Sequence, residues 1–329
     1  MSKNVYNIPI INGLRGLASL SVVLFHFVNT TWGYVTNETV KDVFWFGCKG
    51  INLFFIISGI VIPLSMIKSK YKVAGFGRFI LKRFIRIEPP YLVAVAIVVS
   101  YLYARNYVPS SLKIDLTPSF RDIILHLGYL IPFVEGAEWV SKVFWTLAVE
   151  FQYYLFLALL FPLALSNKQV YSWLFNFIII GLPFIYPERP FFFFWGPYFA
   201  LGVFYALFLT KKYSLRKYFI SSALACIVSF YFHGILDLSI GVGAIIVIHF
   251  FANYHNKIGD FFGKISYSLY LVHGALGGSF ISFMSHRFNE PIGKFLVIIS
   301  GVLIAIASAY VFWRFVERPS HIAAKKIKS

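Results

Sequence analysis

The sequence predicts an all-α fold, a polytopic membrane helical bundle of about ten transmembrane helices, on three observations. Hydrophobic residues make up 59% of the 329 and charged residues only 13%, with a mean hydropathy of +0.73; an ordinary soluble domain carries about 25% charged residues. Apolar runs near the ~20 residues that cross a bilayer recur from one end of the chain to the other. Lysine and arginine collect in alternate connections, as they do in loops that face the cytoplasm.

The runs fall at 8–30, 45–66, 89–104, 143–165, 171–187, 191–210, 218–233, 235–253, 265–285 and 292–313. The first is preceded by Lys3 and interrupted by Arg15, and no small-residue cleavage site follows Thr30, so it reads as a retained helix and not a signal peptide. The second leads into a loop at 67–88 with seven cations, and the third starts at the Pro89-Pro90 pair. Arg121 to Glu135 is apolar but short and carries Arg, Asp and His, which predicts an interfacial or re-entrant helix. The fourth holds Glu150, and the seventh and eighth meet at His233-Gly234. A cytoplasmic N-terminus and ten crossings put 20 of the 30 Lys and Arg on the inside and 8 on the outside, with Arg15 and Lys49 in the membrane. Both termini are therefore expected in the cytoplasm.

The same reading disposes of several function classes. A net charge of +17 in a soluble chain would suggest nucleic acid; here the cations serve an anionic leaflet of membrane lipid, and no nucleic acid is expected. Cys48 and Cys226 form neither a disulfide framework nor a ligand spacing, so no metal is expected. No internal repeat or appended soluble segment is visible, which predicts one membrane domain over 1–329 with no fused extracytoplasmic domain.

Chemistry concentrates in the first helix. At 3.6 residues per turn Asn12, Arg15, Ser19, His26 and Thr30 share an arc of roughly 60°, with Arg15 and His26 about 16 Å apart along the axis. Ionisable groups at membrane depth are costly and mark function. Glu150 is the one acid expected well inside a span, at a depth that lets it meet His26. Such a carboxylate would orient an imidazole as general base, or form an ion pair that only fixes packing. Arg15, Ser58 and His273 agree in depth on the inner side and are expected to line one vestibule. The alternatives are a back-bonded helix serine and a satisfied core histidine. In the basic segment, Arg78, Lys82, Arg83 and Arg86 recur every three to four residues if it is helical, an arrangement that suits phosphates or anchors to anionic lipid.

Together NGLRGLASLSVVLFHF, NLFFIISGIVI, LKRFIRIEPPY, FWTLAVEFQYY, ISYSLYLVH and the terminal VERP resemble the acyltransferase family 3 proteins, in the family's order and over residues 12 to 319. The resemblance implies a membrane O-acyltransferase moving an acyl group, usually acetyl from acetyl-CoA, to a hydroxyl of a cell-surface or lipid-linked carbohydrate, in the cytoplasmic membrane. It carries functional roles onto Arg15, His26, Arg83 and Arg86. Some relatives have a fused extracytoplasmic esterase-like domain; its expected absence leaves the membrane domain acting alone or with a separate extracytoplasmic partner. On this reading Arg78, Lys82, Arg83 and Arg86 hold the donor's phosphates, Ser58 and His273 line its path, and Arg15, His26 and Glu150 are catalytic. The rival is a transporter or flippase for an anionic or glycolipid substrate, whose buried charges bind substrate or relay protons.

Overall fold

The computed structural model describes residues 5–31, 33–105 and 117–327, so Lys3, Lys113 and Lys328 of the charge count lie outside the described residues. Helices account for the architecture, and no strand occurs among the described residues. In order these are α1 (Ile10–Asn29), α2 (Glu38–Trp45), α3 (Gly50–Lys68), α4 (Phe76–Arg105), α5 (Phe120–Leu125), α6 (Trp145–Ala164) and α7 (Gln169–Gly181). They continue with α8 (Phe192–Leu209), α9 (Leu215–Phe250), α10 (Lys257–His273), α11 (Ser279–Met284), α12 (Pro291–Phe312) and α13 (Arg318–Lys326). The chain is an integral membrane protein, and among the described residues seven helical stretches are long and apolar enough to cross a bilayer.

The ten expected runs map onto this set unevenly. The run at 171–187 lies on the shorter α7 and its continuation to Phe184. The runs at 218–233 and 235–253 share α9, which breaks at Gly234, where φ is +80°; that left-handed backbone favours glycine. The run at 265–285 lies on α10 and α11, joined by a π-helical turn at Gly274–Gly278.

Two expectations are corrected. The basic segment is not a loop before a span that starts at Pro89: α4 runs unbroken from Phe76 to Arg105 with Pro89 and Pro90 inside it. Proline removes a backbone donor, and beside the pair the Tyr267 hydroxyl of α10 donates to the Ile87 carbonyl at 2.8 Å, tying the two helices together. The segment 121–135 is not one interfacial helix but the six-residue α5 followed by turns at Gly128 (φ +74°) and Tyr129 (φ +62°). Its irregular backbone is tied down from within: Gly128 N–H donates to Glu88 Oε1 at 3.0 Å, and His126, fully buried, has Nδ1 2.7 Å from the Asp122 carbonyl and accepts from Val140 N–H at 3.3 Å. The Ser119 hydroxyl bond holds the Asp122 carboxyl below its usual range, and burial lowers the His126 imidazole.

At the centre is α8, buried along nearly its whole length, with α3 and α9 packed against it. The large exposed apolar side chains, such as Phe177, Ile227, Phe230, Ile246 and Leu303, lie on α7, α9 and α12 at the periphery, the distribution that lipid as solvent allows. The other tight pair is α1 with α10. They cross where a Cβ on Gly16 would stand 2.6 Å from Phe262 Cβ, and one on Gly263 only 2.3 Å from the Asn12 carbonyl oxygen. Small residues at such a crossing let backbones touch, and this contact fixes the relation between the two helices that end in His26 and His273.

Candidate active site

Beside the N-terminal half of α1 lies a cavity of about 90 Å³, lined by Arg15, Arg86, Glu150, Glu317 and His321 with apolar and tyrosine walls from α3, α6 and α10. That is room for several waters, at 10–15 Å³ each, and far below the size of a pocket that encloses a drug-sized ligand. Two arginines and two glutamates share it. Among the described residues none of the four forms an ion pair within 4 Å; the salt bridges lie elsewhere. Unpaired opposite charges around a small space are held for a third party, water or ligand, because burying them bare is costly.

Each acid is fixed by neutral donors. Glu150 Oε1 accepts from the Ser58 hydroxyl at 3.0 Å and from the Tyr154 hydroxyl at 2.5 Å. Glu317 Oε2 accepts from the Ser268 hydroxyl at 2.5 Å and backbone N–H at 3.2 Å. It reaches the cavity because the helix after α12 widens into a π turn over Trp313–Glu317, a distortion that recurs at functional sites.

The basic segment divides between two places. Arg86 joins the cavity, while Arg78, Lys82 and Arg83 line a separate cleft of about 300 Å³ with Lys70, Lys72 and Ser65. No acid lines that cleft. Arg83 is buried, donates from Nη2 to the Ser65 hydroxyl at 3.2 Å, lies over the Phe79 and Tyr154 rings, and has a buried Nε without a partner.

The expected pairing of His26 with Glu150 is not formed. His26 lies against His273, ring centroids 5.3 Å apart, and Glu150 falls with Arg15 and Ser58. Depth along a helix axis sets who is level with whom but not who faces whom, which is where that expectation failed. Nor does His273 line a vestibule with Arg15 and Ser58: it is 1% exposed, just before the π turn at Gly274, and its neighbours are His26, Phe27 and Tyr270. Ser58 faces the cavity instead of bonding back to its own turn.

The hydrogen bonds fix both tautomers. The Thr30 hydroxyl gives its one proton to the His26 carbonyl at 2.8 Å, so in its 3.3 Å contact with His26 Nδ1 it must accept. His273 Nδ1 sits 3.0 and 2.9 Å from the Leu269 and Tyr270 carbonyls, which can only accept. Both rings thus carry a proton on Nδ1, and in the neutral imidazole that leaves the lone pair on Nε2, the form a general base needs. Tyr270 links the two centres: it lines the cavity and its ring lies 6.3 Å from that of His273.

Sequence reasoning missed Glu317, His321, Tyr154, Tyr267 and Glu88. Glu317 stands in the VERP island and had a signal, an acid at the end of an apolar run. Glu88, 1% exposed, was hidden by the proline pair that made its surroundings look like a loop.

With this geometry in hand, the comparison with known families is direct: the family model described as "Acyltransferase domain", acyltransferase 3, matches residues 8–314. The chain belongs to that acyltransferase family. It is 28% identical over 370 aligned residues to the Staphylococcus aureus (strain COL) protein named "Putative O-acetyltransferase SACOL0978", covering 96% of this chain and 58% of the relative. A second, SAS0844 of strain MSSA476, is 27% identical with the same coverage. Peptidoglycan O-acetyltransferase OatA of Listeria monocytogenes is 29% identical over 157 residues, 45% of this chain and 23% of the relative. The chain spans 58% of the length of the staphylococcal relatives. No solved structure matches.

Proposed function

We propose that this chain is a membrane O-acetyltransferase that takes acetyl from cytoplasmic acetyl-CoA and delivers it to a hydroxyl of a cell-surface or lipid-linked carbohydrate, in a cytoplasmic membrane crossed ten times with both termini inside. The observation that carries it is the juxtaposition of an unpaired ionic cavity with an imidazole pair whose tautomers leave Nε2 basic. The family supports acyl transfer, and the peptidoglycan O-acetyltransferase among the similar proteins supports a carbohydrate acceptor.

The cleft of Arg78, Lys82 and Arg83 takes the donor's phosphates, for which guanidinium and ammonium groups are suited. Only the thin acyl end of the donor fits the cavity. Arg15 and Arg86 there hold the donor on its way past Tyr270 to the imidazole pair, where the attack takes place. His26 Nε2 removes the acceptor's O–H proton as that oxygen bonds to the carbonyl carbon; the carbon–sulfur bond then breaks and CoA leaves as its thiolate. If His26 Nε2 attacks first, the same bond changes occur in two steps through an acetyl-imidazole. Glu150 holds Ser58 and Tyr154 in place and sets the cavity's charge.

The test is incubation of the purified, reconstituted chain with acetyl-labelled acetyl-CoA and a saccharide panel. Acceptor-dependent CoA release with label in the saccharide supports the reading; saccharide or ion flux across the membrane without CoA release contradicts it and supports a transporter.

A further inference from the structure

The ionic cavity and the basic cleft follow one another along the same two helices. From α3 come Ser58, Val61 and Ile62 for the cavity, then Ser65 and Ser69 for the cleft; α4 gives Arg78, Lys82 and Arg83 to the cleft, then Arg86 and Ile87 to the cavity. On each helix the two spaces are separated by a step of three residues, about 4.5 Å along the axis. Among the described residues no side chain lines both. At the boundary stands the Arg83 guanidinium. Its Nη2 donates to the Ser65 hydroxyl at 3.2 Å on the cleft side, and its Cζ lies 5.7 Å from the ring centre of Tyr154, a wall of the cavity. Arg83 is 7% exposed, so it fills the boundary and does not lie on a surface.

That position satisfies the guanidinium poorly. The group is a fork of N–H donors with no acceptor of its own; here Nε is buried without a partner, and no carboxylate forms an ion pair with Arg83 among the described residues. Glu150 is taken by the Ser58 and Tyr154 hydroxyls instead. A buried donor left unmade is costly, and a phosphate removes that cost by offering oxygens to Nε and Nη together. With Lys70, Lys72, Arg78 and Lys82 around it and no acid, the cleft is where such a phosphate collects. A ligand moves a side chain only if it binds one of its positions better. Because Nε is buried in the present position, a phosphate engages the whole fork only when the guanidinium turns out into the cleft, and that turn withdraws it from the boundary.

We propose that Arg83 is the specificity-determining residue of the donor site, closing the way from cleft to cavity until a phosphate in the cleft draws its guanidinium aside. Thioesters that carry a phosphate-bearing handle then deliver their acyl group, and those without one are refused. The inference rests on the acetyltransferase reading and adds an order of events to it: the phosphates do more than hold the donor, because their binding opens the path along which the acyl arm enters.

The experiment gives the full chain in nanodiscs a donor cut in two: acetyl-pantetheine, which has the thioester arm and no phosphate, with or without adenosine bisphosphate, the nucleotide end. Acetyl-CoA and the saccharide panel run alongside. Transfer from acetyl-pantetheine should rise about tenfold when the nucleotide is added, the factor for a path open in about a tenth of the molecules without it. Ser65→Ala removes the hydrogen bond that holds Arg83 inward and should raise transfer without nucleotide and shrink the stimulation. Arg83→Ala should abolish the stimulation. Each readout is a ratio within one preparation, so the folded fraction cancels. A wild type that is unstimulated or inhibited by the nucleotide overturns the proposal, as does equal stimulation in Arg83→Ala. Transfer from acetyl-CoA with a flat nucleotide response removes the role of Arg83 alone; failure of acetyl-CoA itself to donate removes the acetyltransferase reading and this inference with it.

Discussion

At one end of α1, Arg15 shares a cavity with Arg86, Glu150 and Glu317, four charges that make no ion pair among the described residues; at the other, His26 and His273 each have the Nδ1 proton held by a neighbouring oxygen. The two ends face different physical problems. Charges in a membrane must meet something, and those around the cavity are arranged to meet a ligand. A general base must present one lone pair in one direction, and the histidines are held to do so. The first helix therefore joins a place that waits for an occupant to one that is already organised.

Among changes away from the histidines, removing charge from the waiting end should have the largest effect. Arg15→Gln is expected to lower kcat/KM for acetyl transfer by about 10², the cost of misplacing a reacting group; a loss below tenfold would leave the donor's positioning to Arg86 alone. Arg83→Met should act on donor affinity, raising the acetyl-CoA KM about tenfold, equivalent to about 1.4 kcal/mol, and a change confined to kcat would move Arg83 out of the phosphate site. Gly263→Val attacks the crossing that sets the two histidines side by side. Overpacking there should cost about 1–3 kcal/mol of stability, read as a lower unfolding midpoint in detergent together with lost transfer.

The smallest effect concerns neither end but the folded loop that follows α4. His126 is buried neutral, its folded pKa below its ordinary value, so its contribution is present above about pH 6.5 and declines as pH falls below that. Asp122, held low by Ser119, stays ionised until pH falls below the ordinary carboxylate range. Hydrogen-exchange protection over 119–140, with the intrinsic pH dependence of amide exchange divided out, should therefore fall as pH drops from 7 to 5 in the wild type and lose that dependence in His126→Gln. A pH-independent pattern in both would detach the loop's order from His126.

The sequence was most legible where costly residues interrupt apolar runs. Arg15, Glu150 and the basic segment stood out for that reason, and the structure gathers Arg15, Arg86, Glu150 and Ser58 around one space. The family and the helical membrane architecture were legible from the ordered islands. Azimuth was not: a linear count gives His26 and Glu150 similar depths, yet the Gly16–Gly263 crossing turns His26 toward α10 and His273. Prolines misled in the other direction. Pro89 and Pro90 read as the start of a span, but α4 runs through them and carries Glu88 into the core, where it accepts from Gly128 N–H. The π turns that bring Glu317 to the cavity and end the helix at His273 have no sequence signature of their own.

The most direct test of the division between the two ends is His26→Ala, measured for donor binding and for chemistry in the same reconstituted sample. Acetyl-CoA should bind with wild-type affinity while kcat for acetyl transfer falls by about 10²–10⁴, the contribution of a positioned general base. Transfer at the wild-type rate would contradict the account, whatever the affinity.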